Sequence, residues 1–176
     1  TSIEMVSVEA FNCPTLTVNY IEEDVTCFEA CDGSISITGI TNGVSPFSYN
    51  WSTGSTQSEI SNLCPGDYSV TVTDAVNCEV TESFTITQPT ELFANASATD
   101  ETGNDFNDGT ATANPTGGIS AYSDEWSNVE TTQSIDNLAP GDYTVTVTDQ
   151  NDCTSIEMVS VEEFVCPTLT ILSTQE

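Results

Sequence analysis

Carboxylates are the most abundant chemical groups in this sequence. Of its 176 residues, 28 are Asp or Glu and none is Lys, Arg or His, so the formal net charge is −28. The usual bases for Ser or Cys nucleophiles are therefore missing, and only carboxylate pairs remain for acid–base catalysis. Asp124, Glu125 and Glu130 lie close together, but neighbours in one strand point to opposite faces. The sequence predicts that the protein is not an enzyme.

Two loops carry acidic side chains at matching positions, related by a sequence offset of 76. The two trios are Asp24, Glu29 and Asp32, and Asp100, Asp105 and Asp108. Three further side chains with oxygen donors accompany the second trio, namely Glu101, Asn104 and Asn107. Hard oxygen ligands suit Ca²⁺, so we predict that both loops bind Ca²⁺ and that in the second domain it replaces disulfides. The alternative is a solvated acidic loop that keeps the protein soluble.

Cysteines offer a second kind of chemistry. The chain has seven, and six of them belong to one period of the repeat described below. An even number in small domains indicates disulfides and an oxidising, extracellular location. We expect Cys27 to pair with Cys78, and Cys31 with Cys64. Closing the longer loop would stabilise the fold by about 4 kcal/mol on the chain-entropy model. A zinc site is the alternative, although the tight CxxC pairs typical of such sites are absent.

The remaining three cysteines have no obvious partners. Cys13 and Cys166 occupy the same repeat position, and Cys153 is the counterpart of Cys78, but nothing corresponds to Cys27 in the second domain. An extended strand of about nine residues would hold Cys153 and Cys166 roughly 30 Å apart, too far for a disulfide. We therefore expect Cys13, Cys153 and Cys166 to bridge domains or parallel chains.

The positions of these groups follow from a long repeat. Residues 1–18 return at 154–171 with fifteen of eighteen positions identical. Exposed-type positions such as Ser2 and Glu4 repeat as faithfully as the apolar ones, which indicates recent duplication of a block at an offset of 153. Arrays of one repeated unit build length and multiplicity rather than a single catalytic centre.

Each block contains a second, weaker repeat. Residues 51–78 align with 126–153 at an offset of 75, and sixteen of the twenty-eight positions are identical. The block is therefore predicted to be two small domains in tandem. The expected limits are 1–12 for the last strand of a preceding domain, 13–88 and 89–163 for the two domains, and 164–176 for the first strand of the next.

Alternating side chains predict strands in both domains. Residues 68–73 and 143–148 place large groups on one face and hydroxyls on the other, as half-buried strands do. Nothing in the chain is typical of a helix, and turn sequences such as Asn42-Gly43 and Pro65-Gly66 recur at short intervals. We predict an all-β chain of tandem small immunoglobulin-like β-sandwich domains in an extended repeat array.

One stretch resembles a known family. It begins at Trp126-Ser127 and continues through Thr-Thr-Gln-Ser-Ile at 131–135 and Asn-Leu-Ala-Pro-Gly-Asp-Tyr-Thr-Val-Thr-Val-Thr-Asp at 137–149 to Cys153. This stretch resembles the SprB-type repeat of Bacteroidota surface proteins, and residues 27–78 carry the same signature. The resemblance implies giant, repetitive cell-surface adhesins, exported by the type IX pathway and used in gliding motility, attachment or prey capture.

The second domain departs from this pattern. It lacks a cysteine in the loop between its first two strands and has Asp124 where the first domain has Tyr49. Both departures leave the fold intact, but they put the stability of the second domain in question.

We therefore predict a structural repeat unit of an extracellular, cell-surface filament or adhesin. Its expected partners are neighbouring repeats and parallel copies of itself in a homo-oligomeric filament. The alternative is a carbohydrate- or ice-binding module, in which rows of Thr or the two Trp residues, Trp51 and Trp126, meet the ligand. Without cationic side chains, binding to nucleic acid or acidic lipid is not expected. The sequence has no run of eighteen apolar residues, so membrane insertion is not expected.

Overall fold

The computed structural model describes residues 12–166. Within that range the chain forms twelve β-strands and no helix, so the protein is all-β as predicted. The contacts divide it into two units. One comprises the described residues up to Val25 together with Glu29–Gln88, and the other comprises Thr26–Phe28 together with the described residues from Pro89 onward.

Two three-stranded antiparallel sheets make up the first unit. Their hydrogen-bonded orders are β1-β2-β4 and β3-β5-β6. The longest hairpin pairs the whole of β5 with β6, from Gly66 opposite Ile86 to Thr73 opposite Glu79. The strand bounds are β1 Thr17–Glu23, β2 Gly33–Thr41, β3 Ser48–Trp51, β4 Glu59–Leu63, β5 Gly66–Thr73 and β6 Glu79–Ile86.

The second unit repeats this topology. Its sheets have the orders β7-β8-β10 and β9-β11-β12, which are those of the first unit shifted by six strands. Each unit is thus an immunoglobulin-like sandwich of two antiparallel sheets, as the alternation of the sequence predicted. The strand bounds are β7 Ala96–Thr99, β8 Gly109–Ala113, β9 Ser123–Trp126, β10 Ser134–Leu138, β11 Gly141–Thr148 and β12 Thr154–Val161.

The core of the first unit lies between its two sheets. Ile35 and Ile37 of β2 alternate inward and face Trp51, Val70 and Phe84 from the other sheet. The Trp51 and Phe84 rings lie 5.7 Å apart between centroids. This clustering of large side chains from both sheets removes most of the apolar surface of the unit from water.

A smaller core stabilises the second unit. Ala111 and Ala113 of β8 are fully buried, and they occupy the positions of Ile35 and Ile37 at the offset of 76. Each Ile-to-Ala exchange gives up about 2 kcal/mol of burial at about 0.8 kcal/mol per methylene. The second unit therefore depends more on polar interactions in its loops than the first does.

Part of the predicted organisation lies outside the described residues. Residues 1–11 and 167–176 belong to the end strands predicted from the repeat, and only their repeat counterparts are described. Residues 154–161, which repeat 1–8, form β12, the last strand of the second unit. In the described part of the chain no helix is long and apolar enough to cross a membrane.

Candidate functional site: disulfides and acidic loops

Three disulfides join six cysteines. Cys31 is bonded to Cys64, the pair expected from the sequence. The other predicted pair, Cys27 with Cys78, is wrong, because Cys78 is bonded to Cys13 and Cys27 to Cys153. The sulfurs of all six are thus committed to S–S bonds, and the zinc alternative for the first four does not apply.

The correction follows from the path of the loop after β1. Its segment Thr26–Phe28 groups with the second unit, where Asn151 Nδ2 donates to the Thr26 carbonyl at 3.0 Å. Cys27 is thereby brought to Cys153 rather than to Cys78. Cys78, which lies directly before β6 and is 1% exposed, is bonded to Cys13 from the segment before β1. Cys13 therefore closes a loop within the first unit, whereas Cys166 is exposed.

The first member of each acidic trio joins the end of the first strand to the end of the last. Asp24, directly after β1, accepts hydrogen bonds from the backbone N–H and the hydroxyl of Thr87, both at 2.6 Å. Asp100, directly after β7, accepts from the Glu162 backbone N–H at 3.0 Å. Thr87 and Glu162 each follow the last strand of their unit. The shared spacing thus reflects a shared structural role for Asp24 and Asp100.

The second member shapes the turn in both loops. Glu29 and Asp105 have nearly the same left-handed backbone, with φ of 57° and 58°. The Glu29 N–H donates to the Gln88 side chain at 2.8 Å, and the Asp105 carboxylate accepts from Asn104 Nδ2 at 2.7 Å. Asn107 also has a left-handed backbone, with φ of 48°. The two loops therefore share a turn conformation, and Asp105 and Asn107 are of the short polar types that tolerate the left-handed region.

Other carboxylates brace the loop of the second unit. Glu101, 6% exposed, accepts from the Asn107 backbone N–H at 2.9 Å. Asp108 accepts from the backbone N–H of Thr102 at 2.9 Å and from its hydroxyl. The hydroxyl bond, followed by the backbone bond, lowers the pKa of Asp108, and the same two kinds of bond from Thr87 lower the pKa of Asp24.

These loops were also the predicted Ca²⁺ site. Across residues 12–166, no three His, Cys, Asp or Glu side chains form a group suited to a metal ion. The predicted carboxylate ligands of the second unit instead accept hydrogen bonds from N–H and O–H donors. Asp32 belongs to the first loop and stands at the position equivalent to Asp108. Ca²⁺ binding stays a prediction, which chelation can test.

Sequence reasoning missed a further pair of carboxylates. Asp74 and Asp149 are both 5% exposed and directly follow the strands β5 and β11. Asp74 accepts from the N–H groups of Val76 and Cys78, each at 2.9 Å, and from a third, that of Val44, at 3.0 Å. Its signal was present in the sequence, because Asp closes the identical runs 70–74 and 145–149.

Asp149 reproduces this arrangement in the second unit. It accepts from the N–H groups of Ile119 at 2.8 Å, Asn151 at 2.8 Å and Cys153 at 3.0 Å. Burial disfavours the ionised form of both Asp74 and Asp149, but the three N–H bonds outweigh it and lower the pKa of each. Each carboxylate thus fixes the turn that carries a disulfide cysteine at its end.

The side chains considered for ligand binding have structural partners. Trp51 and Trp126 are each 2% exposed, and their indole N–H groups donate to the carbonyls of Gln57 at 2.8 Å and Thr132 at 3.0 Å. Neither ring is available for stacking on a sugar. Among the outward hydroxyls, Thr71 bonds Thr81 on the neighbouring strand at 3.1 Å.

Asp124 differs from the hydrogen-bonded carboxylates described above. Its Oδ1 is buried without a hydrogen-bond partner, and burial raises the pKa of the group. Asp124 points inward at the position of Tyr49, while its neighbour Glu125 is exposed on the opposite face. The two carboxylates therefore do not face a common site.

One known family matches part of the first unit. Residues 19–56 match the family model of the SprB repeat. The resemblance drawn from the sequence is confirmed by this match. It runs from β1 through β3 into the turn that follows, and it includes the first acidic loop with Cys27 and Cys31. The matched part is well under half of the chain. Among curated proteins no match was found.

Solved structures with immunoglobulin domains were also found. The crystal structure of DIP-gamma IG1+IG2 is 13% identical, with 86% of this chain and 98% of that chain covered and a TM-score of 0.37. The crystal structure of murine CEACAM1b is 12% identical, with 84% and 99% covered and a TM-score of 0.34.

Proposed function

We propose that this chain is a non-catalytic structural repeat unit of an extracellular cell-surface filament or adhesin. The observation that carries the proposal is the repeat at an offset of 153, in which exposed-type positions are as well kept as apolar positions. A unit copied in this way contributes length and multiplicity to an array. The SprB repeat match of residues 19–56 supports a module of surface proteins.

The internal bonding of the surface supports a structural role over direct ligand binding. Outward hydroxyls are engaged across strands, as between Thr99 and Thr110 at 2.7 Å and between Thr112 and Ser134 at 2.9 Å. Both Trp rings lie in the cores. A glycan-stacking platform made of the Trp rings would need them to face solvent.

The disulfides support an extracellular location, and the net charge supports an extended array. The net charge of −28 resists collapse of neighbouring copies onto one another, and three disulfides persist only in an oxidising compartment. Attachment to surfaces, gliding motility and prey capture are the roles that the SprB resemblance implies. Which of them applies depends on the rest of the molecule that carries the array.

Binding assays on the purified, oxidised full chain test this proposal. We expect no saturable binding to whole cells or to a glycan array by the monomer, because each unit serves as a spacer. If copies of the chain associate side by side, analytical ultracentrifugation should detect bundles that dissociate on dilution, which would support the structural role. Saturable binding of a monomer to a glycan or to ice would instead favour the carbohydrate- or ice-binding module, and hydrolysis of a glycan would contradict the non-catalytic role.

A further inference from the structure

The disulfides provide shorter covalent routes through the chain than its backbone does. The backbone route from Cys13 to Cys153 passes through every position between them. A second route leaves the backbone at Cys27 and crosses the S–S bond directly to Cys153, so that it contains only the segment 13–27. When a chain is pulled from both ends, it becomes taut along the shortest covalent route.

The other two disulfides do not shorten this route further. A path that crosses from Cys13 to Cys78 and returns through Cys64 and Cys31 to Cys27 contains the segments 64–78 and 27–31. Those segments extend to about 63 Å together, compared with about 50 Å for the segment 13–27. The Cys27–Cys153 bond alone therefore sets the length of the taut chain.

We propose that the Cys27–Cys153 disulfide acts as a covalent strain limiter, so that between Cys13 and Cys153 the chain can extend no further than the short segment 13–27 allows, even if both units lose their fold under tension. The bond encloses a sequence separation of 126 residues. The loaded route is the covalent path that carries the pulling force. At about 3.5 Å per extended residue, the enclosed chain would add about 440 Å of contour length if it lay on that route. With the bond intact, the segment from Cys13 to Cys27 extends to only about 50 Å.

The loaded route also determines which strands feel the force. It enters at Cys13, follows β1 to Cys27, crosses to Cys153 and leaves along β12. Of the twelve strands in residues 12–166, only β1 and β12 lie on it. Strands β2 to β11 lie off this route, so they carry no covalent load once the route is taut.

The repeat extends this consequence to an array. From Cys13 to the equivalent Cys166, the taut route contains only the segments 13–27 and 153–166. A period would thus reach about 95 Å when oxidised and about 540 Å when reduced. Its value to a filament rests on the proposed function, whereas the length limit itself is a property of the chain and is tested without cells or ligands.

Single-molecule pulling on the oxidised full chain, held through cysteine-free tags at its two ends, tests the proposal. The measured quantity is the contour length at full extension, which depends on the covalent route and does not require a folded starting state. We expect reduction to lengthen the chain by about 440 Å. Peptide mapping under non-reducing conditions verifies the connectivity of the sample before it is pulled.

Paired Cys→Ser variants provide matched controls. In Cys27→Ser/Cys153→Ser the shortest route crosses Cys13–Cys78 and then follows the backbone from 78 to 153. The oxidised variant should therefore be longer than the oxidised wild type by about 210 Å. Cys31→Ser/Cys64→Ser and Cys13→Ser/Cys78→Ser should leave the length unchanged.

Two results would overturn the strain limiter. One is an oxidised chain as long as the reduced chain, and the other is equal lengthening in all three paired variants. Either result would leave the proposed function in place, since binding and self-association are measured separately. Saturable glycan binding by the monomer would, conversely, leave the length limit in place.

Discussion

Asp74 and Asp149 show how single carboxylates stabilise a chain without cationic side chains. Each accepts three backbone N–H bonds at a turn, and no Lys, Arg or His is present to form an ion pair. Bonds from neutral donors to an ionised acceptor are stronger than bonds between neutral groups. The ionised form is therefore the one that the fold requires.

This dependence gives a pH prediction. The pKa of Asp149 is lowered from 3.8 in the folded state, so its stabilising effect is complete above the unfolded value and is lost as the pH falls through the lower folded value. Asp149→Asn should lower the melting temperature at pH 7, because an amide cannot accept all three N–H bonds. The difference in melting temperature between Asp149→Asn and the wild type should become smaller below pH 3.8.

Asp152→Asn is the matched control in the same turn, because its side chain is exposed. Thermal unfolding of all three proteins by circular dichroism between pH 7 and pH 2 gives the comparison. Since acid also reduces the repulsion among the other carboxylates, the difference between proteins is the relevant quantity. A gap for Asp149→Asn that stays constant down to pH 2 would contradict the role of ionisation.

At the level of strands, close approach between neighbouring elements decides where glycine is required. Gly33 begins β2, and a Cβ there would lie 2.9 Å from Ile86 Cγ2, 3.1 Å from the Glu23 carbonyl and 3.2 Å from the Leu63 carbonyl. Gly109 holds the equivalent position in β8, with Val161 Cγ1 at 2.5 Å. The first residue of this strand is therefore packed against the last strand of the unit in both sandwiches.

Gly33→Ala should consequently destabilise the first unit by about 1–3 kcal/mol, the usual cost of overpacking. Gly39→Ala in the same strand is the control, because its nearest neighbour would be Asn19 Nδ2 at an ordinary 3.7 Å. Chemical denaturation of both variants measures the difference. Equal stability of the two would show that the sheets can separate to admit the methyl group.

The molecule as a whole combines unequal units. The first has the larger core and the Cys31–Cys64 and Cys13–Cys78 disulfides, whereas alanines line part of the second core. The second unit compensates with the braced loop around Glu101 and Asp108 and with the Cys27–Cys153 bond. Its braced loop and its disulfide thus add to a core in which alanines replace larger side chains.

Chelation tests whether a cation contributes to that loop. The predicted calcium site requires that EDTA lower the melting temperature of the oxidised chain, whereas a loop held only by the hydrogen bonds to Glu101 and Asp108 should be unaffected. Addition of Ca²⁺ and of Mg²⁺ at equal ionic strength controls for general screening of the negative charge. A fall in melting temperature with EDTA that Ca²⁺ reverses and Mg²⁺ does not would support the predicted calcium site.

The sequence by itself determined the strand class, the repeat and the charge, because each depends on residue types and their spacing along the chain. Alternation at 68–73 and 143–148 was sufficient to predict the all-β class. The repeat and the absence of cationic side chains needed no coordinates. Such patterns can be recognised in a sequence because strand periodicity and duplication relate positions by fixed spacing.

Only the tertiary structure decided which distant groups meet. Six cysteines allow fifteen pairings, and the choice depended on segment Thr26–Phe28 grouping with the second unit. The sequence repeats Asp74 as Asp149 but does not show that the distant Val44 N–H donates to Asp74. Disulfides and hydrogen bonds form only at a few ångströms, and over a sequence separation of 126 that proximity is set by the packing of the chain and not by its local pattern.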